Sequence, residues 1–327
     1  MGLSTETMRA LRIEKFGPPA DLQVRDVEKP RAAEGQVLVQ VWSAGLNPSD
    51  VKNAAGAMKQ TTLPRTPGRD AAGVVVEGPA GLKGAEVWVT GGALGFTVDG
   101  CNAEYVLLPE AAVRRKPDSL TLEQAGSIGV PFVTAWLALV RVAAIRAGET
   151  LLIVGASGSV GIAATQIARW KGARVIGADR RKPAKPLADE SINTMAEDLS
   201  QSVLRLTGGN GADLAFDTVG GPMFEPCLKS LRRGGRQVDI SSTGDHRVSF
   251  DLIDFYHHEL TLYGVDSLQC DVESAAEILD QLKPGFDSGA LKAPVTQSYS
   301  LARAKEAYEA LAAGKAAGKL IITPQAQ

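Results

Sequence analysis

The chain has 327 residues, 44% apolar and 22% charged, which gives room for two domains and excludes a largely disordered protein. Lysine and arginine total 35 against 37 acids, a net charge of −2, so no overall basic field draws it to nucleic acid or an anionic membrane. Three scattered cysteines, Cys101, Cys227 and Cys270, exclude a disulfide framework, and no CxxC pair offers structural zinc, so a reducing, cytoplasmic setting is the expectation.

The opening MGLSTETMRALRIEKFG has no apolar core of signal-peptide length, and Glu6 stands where a myristoylation motif carries Ser or Thr. The longest apolar stretch, 128–140, is too short to span a bilayer, so no membrane partner is expected. The first third then reads as short strands divided by Gly and Pro: QVLVQVWSAG (36–45), AGVVVEG (72–78) and EVWVT (86–90). A compact β-rich domain follows from that. Near Leu120 the pattern turns helical on both sides of Pro131, with Gly148 as the predicted stop.

From LLIVG (151–155) onward strand and helix alternate. That run is uniformly apolar, as in a parallel strand covered on both faces, and Val160, Ala163, Ala164, Ile167 and Ala168 form one helix face behind it. ARVIGAD, DLAFDTVG, GRQVDISS and LTLYGVDS supply further strands, a rhythm that predicts an α/β fold with a doubly wound parallel sheet. The tail returns to a helix, LARAKEAYEALAAG, and a last strand, GKLIITP.

The strongest chemical signal is Gly155-Ala156-Ser157-Gly158-Ser159-Val160-Gly161, set between the buried strand and the amphipathic helix. A pyrophosphate needs backbone N–H groups and a helix N-terminus approached without side-chain obstruction, and glycine permits both. The spacing is G-x-x-G-x-x-G, and the strand–turn–helix context gives it its meaning. The next strand ends at Asp179, where an acid favours NAD, but Arg180, Arg181 and Lys182 follow, which favour the 2′-phosphate of NADP. The reading adopted is NADPH, with NADH as the alternative. Ser241 and Ser242, at the carboxyl end of another strand, stand where ligands bind in open α/β sheets or serve as plain turn residues.

The segments GLNPSDVK (45–52), TPGRDAAGVVVEG (66–78), GCNAEYVLLP (100–109), VPFVTAWLAL (130–139), GASGSVG, DTVGG (217–221) and GKLII occur in this order along nearly the whole chain. Together they resemble the medium-chain dehydrogenase/reductase superfamily, in particular its zinc-independent quinone oxidoreductase and enone reductase branch. The resemblance implies a Rossmann domain, 126–266, inserted into a GroES-like catalytic domain made of 1–125 and 267–327, with the active site in the cleft. Zinc-dependent relatives carry a Cys, a His-Glu pair and a second Cys where this chain has Asn47, Arg69–Asp70 and Val130. Arginine stays protonated and valine has no lone pair, so no metal is expected, and His246, His257 and His258 lack neighbours at ligand spacing.

Without a Lewis acid, quinones and α,β-unsaturated carbonyls are the natural small-molecule acceptors, because the developing enolate needs only hydrogen-bond donors or a cation. The resemblance implies that Asn47 and Asp50 line the cleft, Asp50 serving equally well as a helix cap. Lys52 matches a D-x-K pattern of enone reductases and is assigned with Asn47 to catalysis. Val130, Thr134, Val219 and Gly220 are assigned to the cofactor beside the glycine turn. Pro183 and Pro186 predict that the second Rossmann helix is vestigial. Similar proteins pair the last Rossmann strand, here 260–267, across a homodimer. Two other readings compete: a dinucleotide-binding structural or regulatory protein of the crystallin kind, and a metal-free ketone or alcohol oxidoreductase.

Overall fold

Alternating valines build the sheet that carries the first half of the chain. The computed structural model describes residues 6–181, 183–316 and 318–325; Lys182 of the basic run lies outside them. A hairpin of β1 (Thr7–Arg12) and β2 (Gln23–Glu28) comes first. Then follow β3 (Gln36–Gly45), α1 (Pro48–Ala54), β4 (Ala71–Glu77), β5 (Glu86–Val89), β6 (Tyr105–Pro109) and β7 (Arg114–Arg115). β3 is central, antiparallel to β4 on one side and β6 on the other. Its Val37, Val39 and Val41 recur at the strand period of two and join Leu11, Val75, Val87, Leu108 and Ile322 in one core.

Thr121 caps α2 (Leu122–Gly126) through a capping box with Gln124. α3 (Gly129–Trp136) continues into wide π-type turns at Leu137–Val142. The helical run therefore stops at Val142, not at Gly148 as the sequence predicts. Its last turns loosen to an i→i+5 bond from Ala143 N to Ala138 O (3.0 Å), and Ala144 at φ 49° turns the chain away before the glycine is reached.

The second unit comprises Pro131–Ser267. Its elements are β8 (Thr150–Val154), α4 (Ser159–Trp170), β9 (Arg174–Asp179), β10 (Glu190–Asn193), α5 (Leu199–Leu206), β11 (Ala212–Asp217), α6 (Phe224–Lys229), β12 (Leu231–Asp239), α7 (Leu252–His257) and β13 (Thr261–Gly264). All pairings in this sheet are parallel, in the order β10-β9-β8-β11-β12-β13. The chain winds outward from β8 to β10 and then returns to lay β11 beside β8, so the strand order switches between β8 and β11. Leu151, Leu152, Ile153, Val175, Ile176, Leu214, Ala215 and Phe216 are fully buried, as both faces of a covered sheet require. No helix lies between β9 and β10 among the described residues.

The remaining elements are α8 (Val272–Asp287), β14 (Thr296–Ser300), α9 (Ala304–Ala312) and β15 (Lys319–Thr323). They belong to the first unit, which runs to Val130 and resumes at Leu268. β15 joins β3 antiparallel, completing the order β14-β15-β3-β4-β5-β7 with β6 also on β3. Parallel sheet inserted into β-rich domain is the architecture the sequence predicts.

Candidate active site

In the second unit the glycine turn sits at the switch between β8 and β11. Gly155 takes φ 81°, and a Cβ on it would meet Thr218 Oγ1 at 2.3 Å. A Cβ on Gly161 would lie 2.2 Å from Gly155 O and 2.7 Å from Ala156 Cα, so the helix start closes on the turn only with glycine there. Gly158 is the N-cap of α4, without any side-chain cap. The first-turn N–H groups of Ser159, Val160 and Gly161 are thus not covered by a capping side chain, and the helix is 12 residues long. This cradle fits a dinucleotide pyrophosphate.

The neighbouring residues close around the same switch. Val219 N and Gly220 N donate to Asp217 Oδ1 at 2.8 and 2.9 Å, and burial raises the Asp217 carboxyl above its ordinary range. Thr243 N reaches Val219 O at 2.8 Å, which draws the half-buried Ser241 and Ser242 to that loop, and Ser242 Oγ donates to Asp245 O at 3.2 Å. Asp179 lies against the glycine turn: Ser157 N donates to its Oδ1 (3.0 Å) and Ser157 Oγ to its Oδ2 (2.8 Å). Arg180 and Arg181 are exposed. Thr134 is buried on α3, and its Oγ1 has no hydrogen-bond partner among the described residues, its own helix backbone included.

A second cluster is buried in the first unit. Asn47 is the N-cap of α1, and its N–H donates to Asp50 Oδ2 at 2.7 Å. Its Nδ2 donates to Asp70 Oδ2 (2.8 Å) and to Gly45 O (3.4 Å), while Lys319 Nζ donates to its Oδ1 at 2.6 Å. Asp70 Oδ1 accepts from Thr90 Oγ1 (2.7 Å) and Val130 N (2.8 Å), and Lys319 Nζ stands 3.8 Å from Asp70 Oδ2. Both ends of the Asn47 amide are thus committed, so it reaches a substrate only by giving up an internal bond.

Asp50 is fully buried with Oδ1 unpartnered, and burial pushes its carboxyl up to about 7 against the attraction of Arg69 and Lys319. Burial likewise lowers the Lys319 ammonium, opposed by Asp70 and Asp50. Lys52 stands apart from this cluster, exposed on α1.

Lys319 is the functional candidate that motif reading misses. Its signal is a lysine opening the wholly buried strand KLIIT, before three aliphatic residues, where an unpaired ammonium would not be tolerated. At the positions that the resemblance matches to zinc ligands, the side chains present do not fit zinc. Arg69 offers no lone pair, Val130 contributes only a backbone N–H, and the oxygens of Asn47 and Asp70 face an ammonium. Among the described residues no group of three or more His, Cys, Asp and Glu side chains is placed to hold a metal ion.

Family models match segments of both units. Residues 33–118 match the alcohol dehydrogenase GroES-like domain, and residues 159–283 match the zinc-binding dehydrogenase family. The chain is 36% identical over 293 residues to a zinc-type alcohol dehydrogenase-like protein of Schizosaccharomyces pombe, covering 88% of this chain and 87% of that one. It is 30% identical over 334 residues to the quinone oxidoreductase of Homo sapiens, covering 98% and 99%. Among solved structures, an alcohol dehydrogenase superfamily protein from Novosphingobium aromaticivorans superposes with a TM-score of 0.87 at 30% identity, covering 98% of this chain and 100% of that one. With a nucleotide turn at the sheet's switch point, a GroES-like unit built from both chain ends, and relatives matched along almost its full length, the chain belongs to the medium-chain dehydrogenase/reductase superfamily.

Proposed function

We propose that the protein is an NADPH-dependent, zinc-independent oxidoreductase of quinones or α,β-unsaturated carbonyls, acting as a cytoplasmic homodimer. The observation that carries this reading is the Lys319 ammonium bonded to Asn47 and set beside Asp70, a cation of the chain's own among side chains that do not fit zinc. When bound, the reduced nicotinamide supplies the hydride, and an activated double bond accepts it without a Lewis acid. The chain's part is binding and orientation. The N–H groups after Gly158 hold the pyrophosphate, with Gly155 to Gly161 keeping the approach clear. Arg180 and Arg181 take the 2′-phosphate. Thr134 Oγ1, buried and unpartnered, offers its hydrogen bond to the nicotinamide end. Val219, Gly220, Ser241 and Ser242 wall the cofactor, and Lys52 offers an ammonium to the oxygen on which charge develops.

The curated quinone oxidoreductase from Homo sapiens and the solved one from Pseudomonas syringae, the latter 25% identical with a TM-score of 0.82, support the substrate class. NADPH oxidation with a panel of quinones, enones and saturated ketones tests it. Turnover of the first two classes by enzyme washed with chelator is expected. Equal rates on saturated ketones favour the ketone oxidoreductase, and no acceptor-dependent oxidation favours the crystallin-like binder. Arg180→Ala weakens NADPH binding selectively, and equal loss for NADH would overturn that assignment.

A further inference from the structure

We infer that Ser157 sets which nicotinamide dinucleotide the protein prefers, by tying the Asp179 carboxylate to the phosphate-binding turn. The inference rests on the proposed reading that this turn binds a dinucleotide, and it names the residue that decides between the two forms. Asp179 ends β9, where an acid ordinarily accepts hydrogen bonds from the adenosine ribose. Here each of its oxygens already has a donor, and both donors belong to Ser157: the amide at 3.0 Å and the hydroxyl at 2.8 Å. Among the described residues no other group donates to that carboxylate.

The local chain explains why so much depends on one serine. Among the described residues no helix lies between β9 and β10, and Pro183 and Pro186 stand in that connection. It leaves a hollow of about 220 Å³ lined by Ser157, Asp179, Lys185, Leu187 and Ser191 among others. Among the described residues no crossover helix packs there to fix the acid, so Ser157 is its tether. A carboxylate satisfied by two donors gains less from a ribose 2′-hydroxyl, and those donors draw its charge toward the turn, easing the repulsion of a 2′-phosphate. Arg180, the next residue and exposed, is then unopposed in recruiting that phosphate. Removing the Ser157 hydroxyl releases one oxygen toward the ribose. This strengthens the bond to a 2′-hydroxyl and strengthens the repulsion of a 2′-phosphate. Both effects shift preference toward NADH, so the sign does not depend on their relative size.

The test is titration of the full-length protein with NADPH and with NADH, read by nicotinamide fluorescence, for wild type, Ser157→Ala, Ser157→Thr, Asp179→Asn and the double variant Ser157→Ala/Asp179→Asn. Ser157→Ala is expected to lower the NADPH-to-NADH affinity ratio about fivefold, the scale of one partly exposed charge-assisted hydrogen bond. Ser157→Thr, which keeps the hydroxyl, retains the wild-type ratio. In the Asp179→Asn background the serine change leaves the ratio where Asp179→Asn alone puts it, because the effect runs through the carboxylate. An unchanged ratio in Ser157→Ala, or an equal shift with Asp179 already replaced, overturns the inference while leaving the dinucleotide reading intact. Failure of wild type to bind either dinucleotide overturns that reading and the inference with it.

Discussion

Replacing Lys319 by methionine removes a cation hydrogen-bonded to Asn47, and the structure sets the size of the effect. The Lys319 side chain is 2% exposed, donates to Asn47 Oδ1 at 2.6 Å and stands 3.8 Å from an Asp70 carboxylate that is 1% exposed. Breaking a buried charge pair from one side costs about 3–5 kcal/mol, because the other charge is left without its counterpart. Asp70 keeps three donors, Asn47 Nδ2, Thr90 Oγ1 and Val130 N, which places the loss at the low end, about 3 kcal/mol. Asp70→Asn alone is expected to cost about the same, since it sets one amide NH₂ against that of Asn47 and strands the buried ammonium. The double variant removes both charges together, so its loss falls short of the sum by at least about 1 kcal/mol. Urea unfolding at pH 7, followed through Trp42 and Trp88 of the first unit with Trp136 and Trp170 replaced by phenylalanine, measures all three. Additivity within about 0.5 kcal/mol would refute the cluster as an energetic unit, and with it the idea that Lys319 stands in for a metal's charge.

Asp50→Asn should stabilise the protein increasingly as pH rises. The folded carboxyl is raised from its ordinary value to about 7, so its favourable share is complete below about pH 4 and is lost on the way to pH 7. Unfolding free energies of variant and wild type, from urea titrations at each pH, are therefore expected to diverge between about pH 4 and 7, by a few kcal/mol in all, and a constant gap across that window rejects the assignment. Gly161→Ala drives a methyl against the Gly155 carbonyl, which is backbone and cannot yield, so dinucleotide affinity should fall more than about tenfold; affinity within twofold of wild type denies the turn its role. β13 is an edge strand, and α7 beside it in sequence exposes Leu252 (64%), Ile253 (59%) and Tyr256 (56%). Light scattering should find a dimer of wild type and a monomer of Ile253→Asp/Tyr256→Asp, and a monomeric wild type at micromolar concentration ends the dimer proposal.

What the sequence discloses and what it withholds divide along a physical line. Period and burial are local, so Val37, Val39 and Val41 announce β3, the run 151–154 announces β8, and the glycines announce the turn that follows. Two of the edge strands escape for the same reason: β10, ESIN, and β14, TQSYS, each end a sheet among the described residues and are half-polar, so neither shows an apolar run. The helix end at Val142 escapes because a π-type widening has no composition of its own. The buried cluster is a matter of register. β15 lies antiparallel on β3 with Ile321 opposite Gly45 and Ile322 opposite Ala44, and extending that register by two residues carries Lys319 opposite Asn47. The capping box Asn47–Asp50 is legible in N-P-S-D, and the buried lysine is legible in KLIIT, but each needs a partner that its own segment cannot name. Only when the tail strand closes on β3, 272 residues along the chain, do an amide that needs a fixed orientation and an ammonium that needs a buried acceptor find each other. A slip of one residue in that pairing would turn Lys319 to the opposite face of the sheet, so the strand register itself selects the cation that this site contains.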